Sequence, residues 1–391
     1  MSNPFGFDFE VCLAGVPTRS VLLDETHALD NPVLGFKDGA PVFTYPKGKL
    51  DVMYEHGTRI KILHRNRTKT MATAALHTPH TISLKKAAFD ILEALRKQPR
   101  VRWNSNGDTF HDVRLDASPP LLRHKDRMQL FRNARHLGRR VVLKTTQDPA
   151  LMLRYILEAV IQTLVYRKCP ESVPAPTLVG LTADDRLVCA SEELLTPSVT
   201  DFIRTVPTTA QLMYMSRQFC EMMMRVQAVG CTHRDTHTSN VYVDPKTLRT
   251  RLIDFDWSAI QHGQTVLSVP RHLYDSTRGL YGRNRSVDCC IFFRSLQSQL
   301  AGKQAVADYY KVFLGPLMQL YEDECRVRLT GAHDIVSQQL YRVASSTSGL
   351  HGEYGHAHGY SRLAADFDYE MGYYEWQTMR PEAILKYIQQ I

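Results

Sequence analysis

The sequence predicts a mixed α+β fold. Two observations carry that expectation: short β-branched runs with period-two patterning sit next to turn signals, and longer segments place apolar residues at intervals of three and four. The 391-residue chain is 43% hydrophobic and 23% charged, an ordinary globular composition with enough apolar mass for a substantial core. At ~100–200 residues per domain it accommodates two or three structural units.

Taken in order, LDVMY and TRIKILH flank the turn Glu55-His56-Gly57 and read as a β-hairpin. SLKKAAFDILEALRKQ then carries Ala88, Ile91, Leu92 and Leu95 at helical spacing and stops at Pro99. These first hundred residues look separate from the rest of the chain and carry no assignable motif. GRRVVLK is a strand ending in Lys144, with Val142 and Lys144 on one face. Asp148-Pro149 is a helix start, N-cap followed by Pro at N1, and ALMLRYILEAVIQTLVYRK continues it with Glu158 as its internal carboxylate. PTLVGLTADDRLVCASEEL reads as two strands about Ala183-Asp184-Asp185. TTAQLMYMSRQFCEMMMRVQAVG aligns Leu212, Met215, Phe219, Met222, Met223 and Val226 as a buried helix with Gly230 at its C-cap. VYV and RTRLIDF flank the Asp244-Pro245 turn as a second hairpin.

The net charge of +8 and pI near 9.0 make an anionic partner conceivable. The basic residues cluster between Arg123 and Lys144 and between Arg59 and Lys69 without interleaved aromatics, which favours a solvated surface over nucleic-acid binding. The N-terminus lacks the features of a signal peptide, and no apolar run approaches the ~20 residues of a membrane span. A cytoplasmic or nuclear location is therefore expected. The eight cysteines are scattered without a C-x-x-C pair and are expected to stay reduced. His351, His356 and His358 lie in a Gly-, Ser- and His-rich stretch that reads as a surface loop, lacking partners at ligand spacing. Oligomeric state is not encoded in any pattern.

The chemistry concentrates in CTHRDTHTSNVYVDPKTLRTRLIDFDWS, residues 231–258. The hairpin holds Asp235 and Asn240 on one side and Asp254 beyond the other, so two carboxylates and an amide converge. Mg²⁺ takes hard oxygen ligands, often one or two carboxylates plus substrate phosphates, which makes Asn240 and Asp254 the candidate metal ligands. Asp235 is then available to orient or deprotonate a hydroxyl. Asp256 either caps the next turn or adds a carboxylate near the metal.

The order H-R-D-x-x-x-x-N followed by D-F-x, in residues His233, Arg234, Asp235, Asn240, Asp254 and Phe255, resembles the catalytic and metal loops of protein kinases. The resemblance covers roughly residues 130–320 and implies a two-lobed protein-kinase-like fold. Residues 101–195 would form a small β-rich lobe with one helix, and 196–391 a larger, mostly helical lobe with a C-terminal tail, opened by SVTDFIRTV; residues 1–100 would be an N-terminal extension. It implies that Lys144 anchors nucleotide phosphates as a catalytic residue beside Asp235, that Glu158 pairs with Lys144, and that Glu193 and Leu195 contact adenine through the backbone of a hinge at Glu192-Glu193-Leu194-Leu195. Asp288, in NRSVDCCIFFRSL, would brace the catalytic loop. The implied cofactors are ATP and Mg²⁺, and the implied reaction is transfer of the γ-phosphoryl group to a hydroxyl, first of all Ser or Thr on a protein. Two alternatives stand beside it: a pseudokinase scaffold without efficient turnover, and an atypical kinase of a small-molecule hydroxyl. The chain departs from the family pattern in four places. No G-x-G-x-x-G precedes Lys144, where Gly138 is the nearby glycine and Gly107 is isolated. Asp256 replaces the glycine of D-F-G, and His237 stands two residues after Asp235, where a lysine is usual. A-P-E is absent, with SVPRHLYD around Pro270 its nearest substitute. Retention of Lys144, Asp235, Asn240 and Asp254 together favours an enzyme over a scaffold.

Overall fold

The computed structural model of the protein describes residues 3–16, 33–37, 40–44, 51–55, 59–63, 79–103, 109–115, 122–124, 128–263, 265–268, 285–301, 303, 306–321 and 377–391. Gly107, Pro270 and the histidine-rich stretch lie outside them. The architecture is mixed α+β, as the local patterns predict.

A four-stranded antiparallel sheet comes first: β1 (Val33–Lys37), β2 (Ala40–Thr44), β3 (Asp51–Glu55) and β4 (Arg59–Leu63). β3 and β4 pair from Asp51↔Leu63 to Glu55↔Arg59, the hairpin read from the sequence. Helix α1 (Pro79–Arg96) comes next and buries Ala88, Ile91, Leu92 and Leu95.

The main sheet has seven strands: β5 (Arg102–Trp103), β6 (Asp112–Arg114), β7 (Leu122–His124), β8 (Met128–His136), β9 (Arg139–Thr146), β10 (Pro176–Leu181) and β11 (Leu187–Glu192). Their order is β10-β11-β9-β8-β6-β5, with β7 also on β8, and every pairing but β5 with β6 is antiparallel. β8 and β9 join through Leu137-Gly138, both at positive φ (49° and 73°), which matches the right-handed twist of the flanking strands. A bulge sets Arg132 and Asn133 against Val142 on β9, with Asn133 at φ 60°. Val141 and Leu143 bury in a core on one face of the sheet, leaving Val142 and Lys144 on the other.

Between β9 and β10 runs α2 (Pro149–Lys168). The Asp148 carboxylate accepts from the N–H groups of Ala150 and Leu151, and Pro149 occupies the first turn, as the sequence indicates. Among the described residues α2 is the one helix long and apolar enough to cross a membrane, but 67% of that stretch is buried inside the protein. Packing between the sheet and α1 accounts for its hydropathy.

The second half begins with α3 (Val199–Arg204) and α4 (Thr209–Ala228), which opens on a reciprocal capping box between Thr208 and Gln211. All six apolar positions read along α4 are buried. Gly230 sits just beyond it at φ 82°, where a Cβ would lie 3.1 Å from Gln261 O, so only glycine turns the chain there without strain. Short strands carry the chain onward: β12 (Cys231–Thr232), β13 (Val241–Val243), β14 (Thr250–Leu252), β15 (Ala259–His262) and β16 (Thr265–Ser268). β13 and β14 form the expected second hairpin, whereas β12-β15-β16 is a small sheet that local patterning did not reveal. α5 (Val287–Leu300), a helical segment at 307–321 and α6 (Pro381–Ile388) complete the described chain. Phe219 of α4 stacks on Phe292 of α5 with ring centroids 3.7 Å apart.

One continuous core runs from the N-terminal residues through α1, α2 and α4 to α6. Phe5, Phe9, Leu13 and Val16 are buried in it, Pro4 O accepts from Val179 N–H at 2.6 Å, and Glu10 pairs with Arg167 of α2 and His262 of β15. Stretches that look separate in the sequence thus share their packing with α2. The seven described cysteines are all unbridged.

Candidate active site

Three segments converge on one cleft. β9 delivers Lys144 on its cleft face, and α2 presents Arg154 and Glu158, one helical turn apart and so on one side of the helix. Lys144 Nζ lies 2.6 Å from Glu158 Oε1 and 2.5 Å from Asp254 Oδ1, bridging α2 to the segment after β14. Burial opposes the ammonium charge, but Asp254, Glu158 and Asp256 outweigh it and raise the Lys144 pKa well above its ordinary value. Burial lifts the Glu158 carboxyl to about 7, against the pull of Lys144. The pairing expected of Lys144 and Glu158 is thus present in the geometry.

The second segment is the loop from β12 to β13. Asp288, fully buried near the start of α5, accepts from the N–H groups of His233 at 3.0 Å and Arg234 at 2.6 Å. This is the bracing that the resemblance implies. Thr236 Oγ1 donates to Asp288 O, adding a further tie. Arg234 sits at φ 63°, a conformation disfavoured for L-residues and held here by these bonds. Burial drops the His233 pKa to about 4, so its ring is neutral; Nδ1 accepts from Asp235 N–H at 3.3 Å, which puts the proton on Nε2, donated to Ile253 O at 2.9 Å. Asn240 Nδ2 donates to the Asp235 carboxylate at 3.1 Å and to its carbonyl at 3.0 Å. The amide nitrogen is therefore occupied, and the Asn240 oxygen is the atom that can face a cation. His237 Nε2 lies 3.7 Å from Asp235 Oδ2, where burial lowers its pKa.

Asp254, at φ 64°, lies just past β14, and Phe255 behind it is fully buried with its ring edge-on to His233 at 4.8 Å. Asp256 forms an ion pair with Arg154 of α2. One carboxylate oxygen from each of Asp235, Asp254 and Asp256 falls within 4.8 Å of the others. These hard oxygens, with the Asn240 amide beside them, fit a divalent cation such as Mg²⁺. The Asp256 carboxylate thus stands within this acidic cluster, which is one of the two roles open to it in the sequence.

The cleft, about 160 Å³, is roofed by Leu130, Arg132 and Val142 and floored by Tyr242, Ile253 and Asp254. Arg132 Nη2 donates to the Tyr242 hydroxyl at 2.9 Å, joining roof to floor. Glu193 lines the cleft, but its N–H is donated to Arg140 O at 3.1 Å, so its carbonyl is the backbone group it can offer a base. Leu195 is 70% exposed and not among the lining residues, whereas Leu194 is; the backbone contact expected of Leu195 does not depend on its side chain. The structure therefore brings together Lys144, Glu158, Asp235, Asn240, Asp254 and Glu193, with Leu195 two residues beyond Glu193 and its side chain turned to solvent. Sequence reasoning missed Arg132, Tyr242 and Arg154. Only Arg154 left a local signal, a cation four residues before Glu158 on an otherwise apolar helix face. No family model matches the chain, and no curated protein matches it, so the functional reading rests on this geometry.

Proposed function

We propose that the protein is an ATP- and Mg²⁺-dependent phosphotransferase acting on a hydroxyl, with Ser or Thr of a protein as the first acceptor class to test. The observation that carries the reading is Lys144 held between Glu158 and Asp254 beside the Asp235–Asn240 pair. On this reading β5–β11 with α2 make up a smaller lobe and the segment from α3 to α6 a larger one, in a protein-kinase-like arrangement. A cation bound by Asp254 and Asn240 would neutralise charge on the nucleotide phosphates. Lys144, kept charged by its two carboxylate neighbours, contacts those phosphates, while Asp235, steered by Asn240 Nδ2, orients the acceptor hydroxyl and takes up its proton. Val142 and Tyr242, both lining the cleft, would pack against a base.

Thermal-shift titration and transfer of radiolabelled phosphate test this directly. Mg-ATP should stabilise the protein, and the shift should be largely lost with EDTA or in Asp254→Ala. Asp235→Asn should keep ATP binding and lose roughly 10²- to 10⁴-fold in transfer, whereas Lys144→Met should lose both. Equal stabilisation by ATP in EDTA, or an Asp235→Asn protein with wild-type turnover, would overturn the assignment.

A further inference from the structure

The residue standing where the related pattern has glycine is tied to α2. Arg154 and Asp256, only 16% and 9% exposed at their side chains, form an ion pair across 102 residues of sequence. Four residues on, Glu158 takes Lys144, which takes Asp254. The two carboxylates flanking Phe255 are therefore both connected to the same face of α2, one directly and one through Lys144. Between them Phe255 is locked in the core. Asp254 itself sits at φ 64°, in the left-handed region that residues other than glycine seldom adopt, though aspartate does so more readily than most. Its ion pair with Lys144 fixes the carboxylate, and Arg154 is positioned to fix the backbone on the far side of Phe255.

We propose that Arg154 is a positioning residue: by capturing Asp256 it holds segment 253–258 against α2 and so keeps Asp254 turned toward Lys144. α2 and this segment then move as one body. The inference deepens the phosphotransfer reading and rests on it for its catalytic consequence, but its structural core is independent of nucleotide. The pair also tunes the charge of the site. While paired with Arg154, the Asp256 carboxylate is balanced, so a cation at the site meets less negative charge than the three acids alone would present.

The test uses the full chain without nucleotide. Arg154→Met takes the cation away from a buried carboxylate and should lower the thermal midpoint. The double variant Arg154→Met/Asp256→Asn removes both charges and should regain most of that midpoint, because pairs removed together cost little. Amide hydrogen exchange then separates positioning from mere structure. In the double variant the Ile253 and Ser258 amides, bonded to Asn240 O and Phe255 O, should exchange at least ~10-fold faster than in the wild type while α4 is unchanged. Unchanged exchange at these amides would overturn the proposal. Mn²⁺ titration adds a second readout, with Arg154→Met expected to bind several-fold more tightly than the wild type; equal or weaker binding would show that the pair does not govern the charge at the site. If the wild type transfers phosphate, Arg154→Met, which leaves all three acids in place, should lose at least ~10-fold in kcat with KM for ATP within about threefold. Wild-type kcat in that variant would reduce the pair to a structural tie. A wild type with no transfer at all would remove the phosphotransfer reading and leave the exchange and Mn²⁺ results to judge the tether alone.

Discussion

Replacing Asp288 by alanine should cost the protein a large part of its stability. The carboxylate is fully buried and receives two backbone N–H groups, from His233 at 3.0 Å and Arg234 at 2.6 Å. Burial raises its pKa to about 6, so at pH 7.5 it is ionised and both bonds are charge-assisted. A buried donor left without its acceptor costs roughly 1–3 kcal/mol, so two of them cost about 2–6 kcal/mol. Against a total of roughly 5–15 kcal/mol for a folded domain, that is a severe loss. Asparagine keeps one acceptor oxygen and should forfeit about half as much. Urea denaturation at pH 7.5, with unchanged m-values to show that the same surface is exposed, gives the ranking directly. The expected order of stability is wild type, Asp288→Asn, Asp288→Ala. An alanine variant within about 1 kcal/mol of the wild type, or no worse than asparagine, would refute the view that Asp288 carries the loop.

Glu158→Gln should change how stability responds to pH. Its folded pKa of about 7 lies above the ordinary 4.5, so the folded state binds the extra proton; the stabilisation is fully present below about 4.5 and is lost as pH rises through 7. The wild type should therefore lose up to ~1.4 kcal/mol per pH unit across that window relative to Glu158→Gln, and parallel curves from denaturation at pH 5, 6, 7 and 8 would contradict the assignment. Gly230→Ala places a Cβ 3.1 Å from Gln261 O at φ 82°, and a loss of roughly 1–3 kcal/mol in chemical denaturation is expected. Phe219→Ala removes a fully buried ring stacked on Phe292, which should cost about 3–5 kcal/mol; a midpoint shift of under 1 °C would mean that the core closes over the gap.

Elements held by local chemistry were legible in the sequence. The Asp148-Pro149 helix start, the α4 apolar stripe with Gly230 behind it, and the hairpin around Asp244-Pro245 each depend on residues within a few positions of one another, which is the range that periodicity and turn chemistry report. The same holds for the Asp235–Asn240 contact, five residues apart. What the sequence could not display were contacts set by tertiary packing. Arg154 meets Asp256 over 102 residues, and Arg132 meets Tyr242 over 110. Neither spacing repeats or carries a turn signal. The end of β11 is another such case: the Glu193 N–H is donated to Arg140 O, 53 residues away, a tie that no property of the 192–195 segment displays. The N-terminal residues looked separate because hydrophobic patterning says that Phe5 and Phe9 must be covered, not by what.

The seating of Phe5 and Phe9 in the α2 core bears on how the chain is made. Glu10 waits for His262, 252 residues later, and at ~5–20 residues per second translation takes about 13–50 s to cover that distance. Throughout that interval the segment that carries Phe5, Phe9, Leu13 and Val16 lacks its tie to β15, although α1 and α2, which share its core, are made before that strand. Closing that contact is therefore a late, long-range event in synthesis, and a segment carrying four core side chains depends for one of its ties on a strand made 252 residues afterwards.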